Sequence, residues 1–146
     1  GRNGGAGMNA GTVMICGKEY PLCMTVEAFG QITQACGGLD KLGNYLDGNG
    51  DINKMISNTA FVLAILLQEG EENRRMVASF YADGGTEARK VPTESELCSL
   101  LMPRQLVQLR PDIMSAINES MKQEVEAAPA KNGDGAEPES GSAQPG

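Results

Sequence analysis

The chain has 146 residues, a net charge of -7 and a hydrophobic content of 40%. This length normally corresponds to one domain with a single core. An acidic chain with three phenylalanines, three tyrosines and no tryptophan lacks the basic stripe and the stacking aromatics that nucleic-acid binding needs, so we expect no nucleic-acid partner.

Composition divides the chain into three regions. Residues 1–9 are rich in glycine, and we expect them to be a tag remnant or disordered. Residues 10–125 are expected to form a single, mostly helical domain. Residues 126–146 contain no large apolar side chain, so they cannot bury enough surface to offset the entropy of ordering. We therefore expect a disordered acidic tail there.

The first predicted element is a β-hairpin over residues 12–24. Two β-favouring runs flank Gly17 and Lys18, where we expect a tight turn. Val13 and Ile15 share one face of the first run, as Tyr20 and Leu22 do in the second. Because a lone hairpin is only marginally stable in water, this one is expected to pack on other elements.

A helix is predicted to follow, with Thr25 as its N-cap and with Gly37 and Gly38 at its end. Its apolar face is expected to consist of Val26, Phe29, Ile32, Thr33 and Cys36. A short second helix is predicted over residues 39–46.

The stretch DGNGD, residues 47–51, has part of the pattern of a calcium-binding EF-hand loop. Asp47, Asn49 and Asp51 occupy its positions 1, 3 and 5. Ile52 stands where the loop needs glycine, and Asn58 stands where it needs a bidentate glutamate. We therefore predict a turn with Asp51 as the N-cap of the next helix, and keep a calcium-binding module as a less favoured alternative.

The strongest helix signal covers residues 51–69, and Gly70 is predicted to end that helix. Its buried face is expected to contain Ile52, Met55, Ile56, Thr59, Leu63, Leu66 and Leu67. The segment from residue 71 to residue 90 is ambiguous: Met76, Val77, Phe80 and Tyr81 could continue a helical face, which residues 83–85 would break. Core positions are predicted for Met55 and Met76.

Charged side chains cluster next to this helix. Glu69, Glu71 and Glu72 stand close to Arg74 and Arg75. Such a pattern is typical of a solvated helical face.

The last third of the chain contains clear helix starts. Thr93 and Glu96 fit a capping box that opens a helix over residues 93–102. Pro103 and Pro111 are each expected to open a further helix, the last one over residues 111–125. Its apolar stripe of Ile113, Met114, Ile117 and Met121 either docks into a partner's groove or closes the protein's own core.

Catalytic and metal-binding patterns are missing from the sequence. The cysteines Cys16, Cys23, Cys36 and Cys98 form no CxxC pair, and the chain has no histidine, so neither zinc-type spacing nor the usual base for a nucleophile is present. We predict reduced, partly buried thiols, no cofactor and no enzymatic activity. No signal peptide or membrane-length apolar run is visible, which predicts a cytoplasmic location without membrane contact.

Taken together, these elements predict an α+β fold that is mostly helical, with an N-terminal β-hairpin packed on a small helical bundle. The segments VMICGKEYPL, GGLDKLGNYL and AFVLAILLQEGE, in this order, resemble the small tail assembly chaperones encoded by long-tailed bacteriophages and prophages of Gram-positive bacteria. The resemblance covers residues 12–125.

This resemblance implies assembly rather than chemistry, in the cytoplasm of the bacterial host. Chaperones of this kind coat the tape-measure protein, recruit tail-tube subunits and are absent from the finished particle, so the implied partners are the tape-measure and tail-tube proteins. The alternative is a structural minor tail or adaptor protein of the virion. Self-association stays open.

Overall fold

A computed structural model of the chain describes residues 11–82 and 86–127. It has the predicted class, with an antiparallel two-stranded hairpin packed on helices. The strands are β1 (Thr12–Ile15) and β2 (Lys18–Pro21), and the helices are α1 (Val26–Cys36), α2 (Leu42–Asp47), α3 (Ile52–Tyr81), α4 (Glu94–Leu100), α5 (Pro103–Gln108) and α6 (Arg110–Ala127). The predictions for residues 1–9, for the break at 83–85 and for residues 128–146 of the tail lie outside the described residues, whereas residues 126 and 127, predicted above to belong to the tail, are part of α6.

The hairpin buries the predicted face of its first strand. Val13 and Ile15 are each only 2% exposed, which confirms that part of the prediction. The turn is shifted by one residue, because Ile15 pairs with Lys18 and leaves Cys16 and Gly17 as the loop. Both have positive φ, 50° and 81°, as a two-residue type I′ turn requires to match the twist of the strands.

The predicted N-cap of α1 is confirmed, and its predicted face is correct for Ile32 and Cys36, which pack in or against the core, but wrong for Val26. The Thr25 hydroxyl accepts from the N–H of Ala28 at 3.1 Å and donates to the Glu69 carboxylate on α3 at 2.7 Å. That second bond fixes which side of α1 faces α3. Ala28 is buried with Ile32, whereas Val26 is 91% exposed.

The turn between α2 and α3 contains a glycine that its backbone requires and ends in an N-cap, as predicted. Gly48 has φ 66°, and a side chain there would collide with the backbone of Met55. Asp51 caps α3, since its Oδ1 accepts from the N–H groups of Asn53 and Lys54 at 2.9 and 3.2 Å. The N-cap prediction for Asp51 is therefore confirmed.

The central helix α3 is 30 residues long, so the prediction that Gly70 ends it is wrong. Gly70 lies in the interior of the helix, at the point where the end of β2 packs directly on it. A Cβ built at Gly70 would overlap the carbonyl oxygen of Pro21 and would stand 2.6 Å from its carbon. Close by, the N–H of Cys23 donates to the carbonyl of Leu66 at 3.3 Å. The absence of a side chain at Gly70 therefore allows the strand to pack closely on the helix.

The buried face of α3 is predicted correctly only in its middle. The predicted members that are fully buried are Thr59, Leu63, Leu66 and Leu67. Ile52 at the start of the helix is 55% exposed, so this part of the prediction is wrong.

The helix starts after residue 90 agree with the sequence. The Thr93 hydroxyl accepts from the N–H of Glu96 at 3.1 Å, and the Glu96 carboxylate accepts from the N–H of Thr93 at 3.0 Å, which confirms the capping box. Pro103 is the first residue of α5. Pro111 is the second residue of α6, which begins one residue earlier than predicted.

The core surrounds the middle of α3, which contacts β2, α1, α2, α4 and α5. The last helix, α6, closes the structure against the hairpin. Gly11 lies against Ala116, and the N–H of Met24 donates to the hydroxyl of Ser120 at 3.1 Å. Among the described residues, no helix combines the length and the apolar character that a bilayer span needs.

Candidate partner-binding surface

The apolar stripe predicted on the last helix divides into two parts. Ile113 and Ile117 are 0% and 2% exposed, so they close the protein's own core, as one of the two interpretations expects. Met114 and Met121 are partly buried against the same core. A partner could reach the two isoleucines only if α6 left the domain, because the side chains that would dock are already covered.

A different apolar surface is exposed at the end of α3. From residue 72 to residue 81 this helix contains no fully buried residue, a length of about 15 Å. Met76 is 55% exposed, Val77 40%, Phe80 72% and Tyr81 84%. We call these four residues the α3 stripe. The core position predicted for Met76 is wrong, because no element covers this side of the helix end among the described residues.

The opposite side of α3 holds a buried carboxylate. Glu71 is only 6% exposed, so the solvated position predicted for it is wrong. Its two oxygens accept from Nε and Nη2 of Arg74 at 3.0 and 2.7 Å, and one of them also accepts from the N–H of Arg89 at 2.8 Å. Charge-assisted bonds of this geometry offset the cost of burying the charge.

Two arginines attach residues 86–89, which we call the returning segment, to α3. Arg74 donates to the carbonyl of Glu87 at 2.8 Å, and Arg75 donates to the carbonyl of Thr86 at 3.1 Å. At 100° per residue, Glu71 and Arg75 lie on the helix face opposite the α3 stripe, whereas Arg74 lies only about 20° from Tyr81, at the edge of the stripe. The returning segment packs along the opposite face and one edge, where Thr86 lines the same surface pocket as Met76, and it leaves the stripe side chains largely exposed.

The Arg74 guanidinium holds the pKa of Glu71 below its usual range, and the Arg89 N–H acts in the same direction, although burial opposes them. A carboxylate with a lowered pKa in the folded state stabilises the fold above its unfolded-state pKa. This stabilisation is lost as the pH falls through the folded-state pKa. Glu71 therefore contributes fully at neutral pH and ceases to contribute in strong acid.

We expect Glu71→Gln to lower the free energy of unfolding at pH 7 by about 1–2 kcal/mol, because it removes a charge-assisted pair that is largely buried. Glu72→Gln is the matched control: Glu72 pairs with Arg75 at the same spacing, but its side chain is 38% exposed, so the expected loss is below about 0.5 kcal/mol. Urea unfolding measures both. The Glu71→Gln difference should shrink at pH values below about 4, and a difference that persists there would contradict the role of the charge.

The DGNGD loop uses its carboxylates in protein contacts. Asp51 caps α3, and Asp47 Oδ1 lies 3.5 Å from Nη2 of Arg110. Within residues 11–82 and 86–127, no three His, Cys, Asp or Glu side chains converge in a way that could hold a metal ion. The calcium-binding alternative gains no support from this geometry.

The four cysteines differ in their exposure to solvent. Cys23 and Cys36 are partly buried, as predicted, whereas Cys98 is exposed and Cys16 is exposed in the hairpin turn. Burial, together with the nearby Glu69 carboxylate, raises the pKa of the Cys23 thiol. A raised pKa lowers the thiolate fraction and with it the reactivity of this side chain.

The sequence contains only part of the signal for the α3 stripe. The spacing of Met76, Val77, Phe80 and Tyr81 indicates a helical face, but spacing alone does not show whether such a face is covered. The nearby glutamate and arginine pairs give no second signal, because their pattern is typical of a solvated face and does not show where the returning segment packs.

The chain matches no family model, no curated protein and no solved structure.

Proposed function

We propose that this protein is a non-enzymatic tail assembly chaperone that coats the tape-measure protein and recruits tail-tube subunits. The observation that carries the proposal is the α3 stripe, four neighbouring apolar side chains on the projecting end of the central helix. A contiguous exposed apolar surface of this kind is typical of protein–protein contact.

The stripe fits a helical partner in shape. Met76 and Phe80 form one row at a spacing of four residues, and Val77 and Tyr81 form the next row. Rows at this spacing pack into the grooves of a second helix. An amphipathic partner helix presents such grooves on its apolar face. Methionine at the edge of such a surface adapts to partner side chains of differing shape.

The size of the stripe favours many weak contacts over one tight contact. Phe80 and Tyr81 together expose roughly 300 Å², whose burial would contribute about 7 kcal/mol. Association costs about 4–15 kcal/mol, and a stable one-to-one interface buries about 800 Å² on each side. Tight binding therefore requires many copies along one long partner, which is how a chaperone coats an extended helical chain.

The experiment is co-expression with the tape-measure and tail-tube proteins encoded near this gene, followed by a pull-down. We expect a tape measure that is insoluble alone to be recovered in a soluble complex. Phe80→Asp/Tyr81→Asp should lower that recovery at least about tenfold, equivalent to a loss of about 1.4 kcal/mol in the binding free energy. Val26→Asp is the control, because Val26 is 91% exposed on α1 and lies outside the stripe.

The outcomes separate the parts of the proposal. Recovery that is unchanged in the Phe80→Asp/Tyr81→Asp variant would contradict the role of the stripe. Failure to retain either phage protein, when both are expressed, would overturn the chaperone function. Peptides of this chain in purified virions would instead support a structural tail or adaptor protein.

A further inference from the structure

A groove of about 560 Å³ lies between α2, the end of α5 and the start of α6. Its apolar lining includes Leu46, Val107 and Met114, and Arg110 adds a guanidinium group. Sites that hold small ligands have volumes of roughly 300–1,000 Å³. The groove therefore suits a ligand of a few residues, with one acidic and one apolar group, rather than a whole helix.

The guanidinium of Arg110 is weakly paired within the described part of the chain. Its Nε is buried and has no hydrogen-bond partner there. Nη2 lies 3.5 Å from Oδ1 of Asp47, and Nη1 lies 3.6 Å from the sulfur of Met55. The first distance exceeds the usual range of a hydrogen bond, and a thioether is a weak acceptor. The two Nη groups are therefore available to a carboxylate, whose two oxygens match the fork of the guanidinium.

Gly43 forms part of the wall of this groove. It lies in the interior of α2 without a positive φ, and a Cβ built there meets no other described atom within 4 Å. Packing within the domain therefore gives no reason for glycine, although glycine weakens a helix relative to alanine. The absence of a side chain at Gly43 lets a ligand approach the backbone of α2 closely.

We propose that this groove binds the C-terminal end of a partner protein whose last residue has an aliphatic side chain. The terminal carboxylate pairs with the Nη groups of Arg110, and the aliphatic side chain packs on Leu46 and Met114. In such a residue both groups are attached to one Cα, so they reach a cation and an apolar surface in the same groove. A glutamate within a chain has its carboxylate on a flexible side chain, which costs more entropy to order. The inference does not depend on the chaperone function.

Asp47 competes with the ligand for Arg110. Its side chain is 55% exposed, and an exposed ion pair contributes little free energy. The carboxylate of the ligand can therefore replace Asp47, and it meets electrostatic repulsion as long as Asp47 is charged. This predicts that removal of the Asp47 charge strengthens binding.

The test is a titration of the full chain with the dipeptide N-acetyl-alanyl-leucine, followed by nitrogen-15 NMR at low salt. We expect the amide signals of Gly43 and Met114 to shift with a Kd on the order of 1 mM. The C-terminally amidated dipeptide, which has no carboxylate, should bind at least about tenfold more weakly, as should the free dipeptide to Arg110→Gln. Asp47→Asn should bind it about threefold more tightly.

Gly43→Ala separates binding from stability. The added methyl group favours the helix, so the variant should resist urea better than the wild type. The same methyl group occupies part of the groove, so binding of the dipeptide should weaken about fivefold. Gly30→Ala is the matched control, because its Cβ also meets no other described atom within 4 Å and it lies on α1, so binding should not change.

Four results would overturn the inference. The first is no shift of the Gly43 signal at about 10 mM dipeptide, ten times the expected Kd. The second is equal binding of the free and the amidated dipeptide, and the third is unchanged binding in Gly43→Ala. The fourth is binding of hexanoate as tight as that of the dipeptide, which would assign the groove to small free carboxylates instead of a protein C-terminus.

Discussion

Gly70→Ala is expected to lower the free energy of unfolding by at least about 3 kcal/mol, a large part of the roughly 5–15 kcal/mol that stabilises a typical domain. Alanine normally favours a helix interior over glycine by about 1 kcal/mol. At residue 70 this gain is outweighed, because the added methyl group would meet the Pro21 carbonyl and lie 3.2 Å from Cα of Leu22. The atoms in the way are backbone, so relief requires moving the hairpin off α3.

Gly30→Ala is the matched control for this prediction. Gly30 lies in the interior of α1, and a Cβ built there has no other atom within 4 Å, so alanine should stabilise the protein by about 0.4–1 kcal/mol. Urea unfolding followed by far-ultraviolet circular dichroism measures both variants. A Gly70→Ala protein that is as stable as Gly30→Ala would contradict the close contact between β2 and α3.

Ile117→Asp is expected to unfold most of the protein, with a loss of more than about 4 kcal/mol. Ile117 is 2% exposed in the core. Its replacement removes buried apolar surface and places an unpaired carboxylate there. The role in partner binding considered for this residue predicts the reverse, namely an intact fold that no longer binds. Circular dichroism of the purified variant decides between the two.

Two milder variants on the same helix serve as controls for this prediction. Ile117→Val should cost about 1 kcal/mol, since it removes one buried methylene. Asn118→Asp, at an exposed neighbour on the same helix, should change the stability by less than about 0.5 kcal/mol. A folded Ile117→Asp protein would show that α6 does not close the core. The apolar stripe of α6 would then again be a candidate binding surface.

The features that could be predicted from the sequence are local ones. Thr25, Asp51 and Thr93 each cap a helix by bonding residues two or three positions ahead. The side-chain chemistry and the spacing needed to recognise such a cap lie within one short window. The alternation that buries Val13 and Ile15 is likewise a property of four consecutive residues. Caps and strand faces are therefore accessible without knowing the fold.

The features that could not be predicted depend on residues far apart in the chain. A glycine after an apolar helical run indicates a helix end by local rules, yet Gly70 is needed because Pro21 packs on it. Glu71 is buried because the segment around Arg89 returns to it. The exposure of Phe80 follows from where that segment packs, which no pattern within α3 contains.

The hydrogen bond between Met24 and Ser120 joins residues 96 positions apart, and this separation affects how the protein folds during synthesis. At about 5–20 residues per second, a ribosome adds the intervening chain in roughly 5–20 s. During that interval the hairpin residues have been synthesised, but α6, which covers them in the folded protein, has not been completed. Final closure of the domain therefore follows translation of almost all its residues, and the nascent hairpin exposes apolar surface until α6 is made.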